Sequence, residues 1–327
     1  MFKGLLTVSG SIELPQFWPT GGSDADTASI TVNAKSFEFT ADPSKKPRRT
    51  RVFEGAKVGK KLVIRGGGKV TVRLQGIDAP ELHFPPVIKG VKGSGTKYRQ
   101  LLGETSTAKL RTFATNGRPN VVPCQVVTRI DKPNDAFDKY GRLIGDVLIG
   151  SGSKQVNVVQ WLAKNGWAFP SYYNSMLPSE IKALQGFCNQ ARKKGRGTWP
   201  HLTEVVGPPD LTLTYHAGGP FNAQSEQADR GPVLNPKLFR RRLRYAILRQ
   251  NNQAPPTFKD YLRTDKSPWT TVAAFLKNPN MKRPKNTLAD LMAAGDVVTK
   301  GPGELVFFEA TATLTKNGKR VTGWTFV

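Results

Sequence analysis

The chain has 327 residues, a length that suits about two domains. Hydrophobic residues make up 38% and charged residues 22%, enough apolar content for a core and too much for wholesale disorder. Lys and Arg number 49 against 24 Asp and Glu, and the net +25 asks for a polyanionic partner, nucleic acid before an anionic membrane surface. No apolar run approaches the roughly 18 residues that span a bilayer. The N-terminal MFKGLLTVSGSIELPQFW makes a poor signal peptide, because its apolar stretch is short, broken by Ser and Thr, and followed by Glu13. Cys124 and Cys188 are the only cysteines, too few for a disulfide scaffold or a cysteine metal site, so a reducing, cytoplasmic setting is the expectation.

In chain order, LTVSGSIELP (5–14) alternates like a strand, PTGGSDADT is a turn, and ASITVN is a second strand. KSFEFTADPSKKPRRTRV (35–52) includes a basic, proline-punctuated loop. KLVIRGGGKVTVRLQGI reads as a hairpin turning at Gly66, Gly67 and Gly68, and PPVIKGVKGSGT (85–96) as a loop. From Tyr98 to about Asn116 the pattern is helical. VVPCQVVTRI and LIGDVLI are strands, separated by the turn-rich DKPNDAFDKYGR. QVNVVQWLAKNGWA predicts a short helix ending near Gly166, and Pro178 opens a longer one with Arg and Lys in its last turn. Five or so short strands with three helices predict a small barrel with helices packed on it. Residues 204–231 shift to Gly, Pro and polar composition and read as a linker or arm. Residues 232–327 read as a small α+β region with a basic helix over 236–250 and a hairpin turning at Asn317-Gly318.

Three segments concentrate polar groups at predicted strand ends: Asp24-Ala25-Asp26-Thr27, Arg73-Leu74-Gln75-Gly76-Ile77-Asp78-Ala79-Pro80-Glu81, and Asp138-Lys139-Tyr140-Gly141-Arg142. Each has a bland reading. Asp favours bends, an Arg on a strand can be a plain surface cation, and His83 beside Glu81 reads best as an exposed loop histidine. Trp161, Trp167 and Trp199 read as packing anchors.

Taken together and in order, the three segments resemble the staphylococcal nuclease family, whose fold is a five-stranded OB barrel with three helices. The resemblance covers most of residues 1–203 and implies an α+β nuclease domain there. It implies that Asp26, Asp78 and the backbone carbonyl of Ala79 hold one Ca²⁺ ion and that Glu81 orients or deprotonates the attacking water. It implies that Arg73 and Arg142 grip the phosphate, and that Lys139, Tyr140 and Tyr172 bind the nucleotide. The implied activity is Ca²⁺-dependent hydrolysis of DNA and RNA with little sequence specificity, leaving 3′-phosphate ends. Between Thr27 and Arg73 lie 45 residues, so an insertion over about 34–69 separates the second and third barrel strands. An alignment without it puts Gly59 at the first metal ligand; the strands flanking Asp24–Thr27 argue against that choice.

Hard oxygen ligands and paired guanidinium forks are the groups that phosphodiester hydrolysis needs. Arg48 and Arg49 in the insertion, and Arg240, Arg241 and Arg244 on the amphipathic basic helix, are candidates for backbone phosphate contacts. Residues 1–200 hold 31 Lys/Arg against 14 Asp/Glu, and residues 201–327 hold 18 against 10, so the positive charge is densest on the barrel. The C-terminal region is read as adding substrate affinity, a protein partner or regulation. The alternative function is a non-catalytic OB barrel that binds nucleic acid without cutting it.

Overall fold

The structure is a computed structural model that describes residues 3–14, 24–152, 155–215, 229 and 231–327. Five strands close into a barrel: β1 (Gly4–Glu13), β2 (Thr27–Thr31), β3 (Lys69–Leu74), β4 (Val121–Ile130) and β5 (Leu143–Ile149). β1 pairs with β2 and β4, β2 with β3, and β4 with β5, all antiparallel. A parallel β3–β5 pairing, with Ile144 opposite Arg73, completes the ring, which is the expected OB architecture. Strand alternation buries Val70, Val72 and Leu74 of β3 while Thr71 and Arg73 face outward.

Three helices pack against the barrel: α1 (Gly103–Thr115), α2 (Val158–Asn165) and α3 (Pro178–Lys193). Asn157 caps α2 by accepting from the Gln160 amide, and the helix ends at Gly166 with φ +72°. α1 begins five residues later than the helical pattern suggested. Tyr98 bridges instead to Phe84, and Leu102 takes a left-handed φ of 64°. Gly103 then passes so close to the Glu81 carbonyl that a Cβ there would lie 2.4 Å from it.

The insertion leaves and re-enters the barrel through a narrow neck, where the Val32 amide donates to the Gly68 carbonyl at 2.9 Å. Gly68 has φ +73°, and a Cβ on it would stand 2.0 Å from the Val32 oxygen. The chain turns at Gly66–Gly68 as expected, with Arg65 bridging antiparallel to Lys69, but the pairing stops at that one bridge. The segment after the glycines joins β2, and Lys61–Leu62 pairs instead with Lys57–Val58. Inside the insertion, Phe37–Thr40 pairs with the first half of β1.

The C-terminal residues are built into this framework. Leu305–Phe307 lies between Tyr172–Tyr173, which it joins in parallel, and Trp269–Thr271. The expected hairpin forms at Asn317 (φ 51°) and Gly318 (φ 75°), and its strand Leu314–Lys316 also pairs with Lys57–Val58 of the insertion. Trp324 stacks on Phe39 with ring centres 4.0 Å apart. A second core joins α4 (Pro236–Gln250) and α5 (Phe258–Arg263), through Leu238, Leu243, Ile247, Phe258 and Leu262; the short α6 (Val272–Lys277) packs through Phe275 into the barrel's core. Of the expected linker, 216–228 and 230 lie outside the described residues. The described part is docked: Val206 donates to the Asp296 carbonyl, and the buried Asp229 carboxylate accepts from Arg99 and Thr105. Among the described residues no helix is long and apolar enough to cross a membrane.

Leu314 is fully buried in the same apolar cluster as the barrel strands. Leu314→Ala should therefore cost about 2–5 kcal/mol and should destabilise the barrel with it. Urea unfolding followed by both tryptophan fluorescence and far-UV circular dichroism checks this; an early, separate C-terminal transition would contradict the shared core.

Candidate functional site

Three chain segments meet beside the mouth of the barrel. Asp24 and Asp26 precede β2, with the Asp26 carbonyl accepting from the Leu74 amide at 2.8 Å. This backbone bond ties the first segment to the end of β3. Asp26 accepts from the Thr27 hydroxyl at 3.0 Å and, at 3.2 Å, from the amide of Ala79, the residue directly after Asp78. The carboxylates expected from two distant loops therefore converge.

The second segment follows β3. Ile77–Asp78 pairs with Phe169–Pro170, which fixes Asp78 in place with no exposure to solvent. Arg73 on β3 places Nη2 3.8 Å from Asp78 Oδ1 and donates to the Tyr173 hydroxyl at 3.0 Å. The backbone of Glu81 is clamped on both sides by Gln100: the Glu81 amide donates to Oε1 at 3.0 Å, and the Gln100 amide donates to the Glu81 carbonyl at 2.8 Å.

The third segment is a tight turn before β5. The Asp138 carboxylate accepts from the amides of Tyr140 and Arg142, both at 2.9 Å, and from Arg142 Nε at 2.7 Å. Gly141 supplies the positive φ of 80° that the turn requires. Asp138 is thus the positioning residue for Arg142, a role the sequence reading did not assign. Lys139 and Tyr140 line the same cleft, with Tyr140 57% exposed and the Lys139 ammonium 5.1 Å from its ring centre.

The cleft encloses about 580 Å³, and its far wall comes from the C-terminal region through Lys237, Arg240, Arg241, Lys266 and Arg283. Arg240 of α4 reaches into the carboxylates. Its Nη2 donates to Asp78 Oδ2 at 2.8 Å, and its Nη1 donates to Asp78 Oδ1 at 3.2 Å and also to Glu81 Oε1. Arg240 was expected to face backbone phosphates; here it is engaged by two buried acids.

The other expected residues are placed differently. Tyr172 is a correction: it is fully buried, its hydroxyl has no hydrogen-bond partner among the described residues, and burial pushes its pKa up. Its neighbour Tyr173 lies at the site, because adjacent strand residues face opposite sides. Arg241 lines the cleft but is paired with Asp265 at 2.9 Å. Arg244 lies over the Phe84 ring at 5.3 Å. Arg48 stacks on Phe326 at 4.1 Å, and neither it nor Arg49 lines the cleft. His83, expected to be an exposed loop residue, lines the cleft 3.7 Å from Asp24.

Burial sets the protonation of the acids. Desolvation raises Asp24 to about 7 and Glu81 to about 8, with neighbouring carboxylates adding to the rise. Asp26 is raised by burial and by the Asp78 charge. Burial also works against Asp78, but the Arg240 and Arg73 guanidiniums outweigh it and hold its carboxyl well below the usual range. Lys237, buried among aromatic rings, is lowered by desolvation to about 7. The carboxylates of Asp26 and Asp78 and the Ala79 carbonyl are hard oxygen donors, the type that a divalent cation such as Ca²⁺ takes, with water completing its shell. Among the described residues no group of three or more His, Cys, Asp or Glu is arranged to hold a metal by itself.

A family model described as staphylococcal nuclease homologue matches residues 71–201. That span includes Arg73, Asp78, Glu81 and Arg142 and omits Asp26, whose place in the cleft comes from the coordinates. The chain is also 28% identical over 151 residues to Endonuclease YhcR of Bacillus subtilis (strain 168). The match covers 46% of this chain and 11% of that relative's length.

The raised acids give stability a signed pH dependence. Glu81 holds its proton to about 8 when folded, so its contribution is full below its unfolded value and is lost as pH rises through about 8. Lys237 opposes this trend above about pH 7, so the clean window is from about pH 5 to about pH 7. In metal-free buffer Glu81→Gln should lose less stability across that window than the native chain. Parallel urea-midpoint profiles would contradict a proton held at Glu81.

Proposed function

We propose that this chain, which carries a staphylococcal-nuclease-like domain over residues 71–201, is a divalent-metal-assisted nuclease that hydrolyses phosphodiester bonds of DNA and RNA. The observation that carries this reading is the convergence of Asp26, Glu81, Arg73 and Arg142 on one cleft rich in cations, with Asp78 buried directly behind Arg73 and Arg240. The domain match and the curated endonuclease relative support the reaction class. A phosphodiester resists attack because its own charge repels the nucleophile. A divalent cation, Ca²⁺ in our reading, supplies Lewis-acid polarisation of the phosphoryl oxygen when it is bound by Asp26, Asp78 and the Ala79 carbonyl.

The chain's own groups supply the rest. Arg142, fixed through Nε by Asp138, and Arg73, held by Tyr173, offer rigid forks that match phosphate oxygens two at a time. Donors placed before charge develops stabilise the transition state without reorganising. Glu81 has its pKa near the working range of a general base and accepts a proton from water attacking phosphorus. The P–O5′ bond breaks, the 5′-oxygen takes a proton from solvent to leave as a hydroxyl, and a 3′-phosphate remains. Tyr140, open at the rim, offers a ring on which any base can stack. Grip on phosphate and on a base face carries no sequence information, so little base preference is expected. Cys124 and Cys188 are buried free thiols, which supports placing this activity in a reducing compartment.

The engagement of Asp78 and Glu81 by Arg240 favours one competing reading, a barrel that binds nucleic acid and leaves it intact. A cleavage panel on plasmid, single-stranded DNA and RNA separates the two. Ca²⁺ should support cleavage and EDTA abolish it, and Arg142→Ala should cut turnover by about 10²–10³ with the fold retained. Binding without cleavage in every metal tested would end the nuclease reading.

A further inference from the structure

Four of the five arginines on α4 cluster at Arg240, Arg241, Arg242 and Arg244, and three of these have partners outside the acid cluster. Arg241 pairs with Asp265, Arg242 with Asp296, and Arg244 lies over Phe84. Arg240 alone among them enters the acid cluster, and it does so from a firm base. Asn235 caps the helix, and Leu238, Phe239, Leu243, Tyr245 and Ile247 are buried beneath it. Its guanidinium spans both Asp78 oxygens and Glu81, so one flat cation bridges two acids that lie 3 residues apart in sequence. Arg73 approaches the same Asp78 from the barrel side. Asp78 has no exposure to solvent and therefore no oxygen facing bulk water.

We propose that Arg240 is a resident cation of this site, holding Asp78 and Glu81 in place of a divalent ion, so that metal binding requires its guanidinium to leave. This rests on the reading of Asp26 and Asp78 as metal ligands. A divalent ion on Asp78 needs the oxygens that the arginine fork now engages. Two cations within a few ångströms in a poorly hydrated pocket repel strongly, so the two occupancies exclude each other. The metal affinity of the barrel is then set by a residue of the C-terminal region. Gln100 gives the exchange a structural path, because its Oε1 holds the Glu81 amide while its Nε2 donates to the Leu234 carbonyl just before α4. Linkage makes the effect reciprocal: a metal that is weakened by Arg240 must in turn weaken the hold on Arg240.

The test is Ca²⁺ titration by calorimetry on the full chain, native, Arg240→Gln and Arg240→Lys, with folding checked by circular dichroism. Arg240→Gln should bind Ca²⁺ at least about tenfold more tightly than the native chain, with Arg240→Lys between them. Equal or weaker binding by a folded Arg240→Gln overturns the proposal. A second measurement uses the native chain, so the result does not depend on a variant that folds. The side-chain Nη resonances of Arg240, identified by their loss in Arg240→Lys, report hindered rotation in the carboxylate fork. Saturating Ca²⁺ should release that hindrance, and unchanged resonances at saturation would refute displacement. Unaltered affinity in Arg240→Gln with EDTA-sensitive cleavage would sink only the role of Arg240. Absence of Ca²⁺ binding and of cleavage in all three chains would sink the metal site and the nuclease reading with it.

Discussion

Four carboxyl groups, Asp24, Asp26, Asp78 and Glu81, crowd together at the base of the cleft with most of their surface out of water, and the site depends on the guanidiniums that stand among them. Two like charges 4 Å apart repel by about 4 kcal/mol at an effective dielectric of about 20. Four such charges could not persist without compensation. The molecule uses two remedies. Burial makes Asp24, Asp26 and Glu81 cling to protons, and Arg73 with Arg240 keeps Asp78 ionised. The pocket is therefore sorted into one firmly anionic group and three that hold or release a proton according to what cation stands beside them. Such separation of pKa values among neighbouring acids is how one site holds both a ligand and a base.

The C-terminal region is part of this balance and part of the fold. Its strand Leu305–Phe307 pairs in parallel with Tyr172–Tyr173, whose second residue holds Arg73. Its hairpin pairs with the insertion, and Trp324 and Phe326 pack on Phe39 from the insertion strand. The insertion and the tail each present an edge or an aromatic face that would be open alone, and each covers the other. The long excursion between β2 and β3 therefore leaves the barrel intact. It is closed at its neck by one hydrogen bond from Val32 to Gly68 and packed at its far end by residues from the other end of the chain.

Much of the barrel and its site was legible because the information is local. Alternation in Lys69–Leu74 places Arg73 outward, the Gly76 turn brings Asp78 next, and Asp138 with Gly141 builds the arginine turn within five residues. Asn317-Gly318 specifies its hairpin by backbone preference alone. What was not legible depends on register or on distant partners. Tyr172 and Tyr173 have the same chemistry and face opposite sides, so one residue of strand register decides which meets the site. Arg240, Arg241, Arg242 and Arg244 are alike on paper. Their partners lie from 24 to 162 residues away where ion pairs form, and only the packing of α4 distinguishes them. The helix expected from Tyr98 forms but starts only at Gly103, for a similar reason: the bridge to Phe84 and the approach to the Glu81 carbonyl are tertiary contacts that override local preference in its first turn.

The overall charge and the local charge of this protein point in opposite directions. A net +25 draws a polyanion to the surface, while the cleft itself gathers Asp24, Asp26 and Glu81, which would repel it wherever they are ionised. Phosphate can approach such acids only if positive charge lies between the two. Arg73 and Arg142 from the barrel and Lys237, Arg240 and Arg241 from the C-terminal region line that intermediate layer. Guanidinium suits it better than ammonium, because one planar fork fits a carboxylate and a phosphate by the same geometry and stays charged when buried. A lysine in the same layer loses its proton more easily, as the lowering of Lys237 to about 7 illustrates. The distribution of arginine and lysine around the cleft thus follows from where each cation must stay charged, and the basic C-terminal helix extends that layer across the mouth of the barrel.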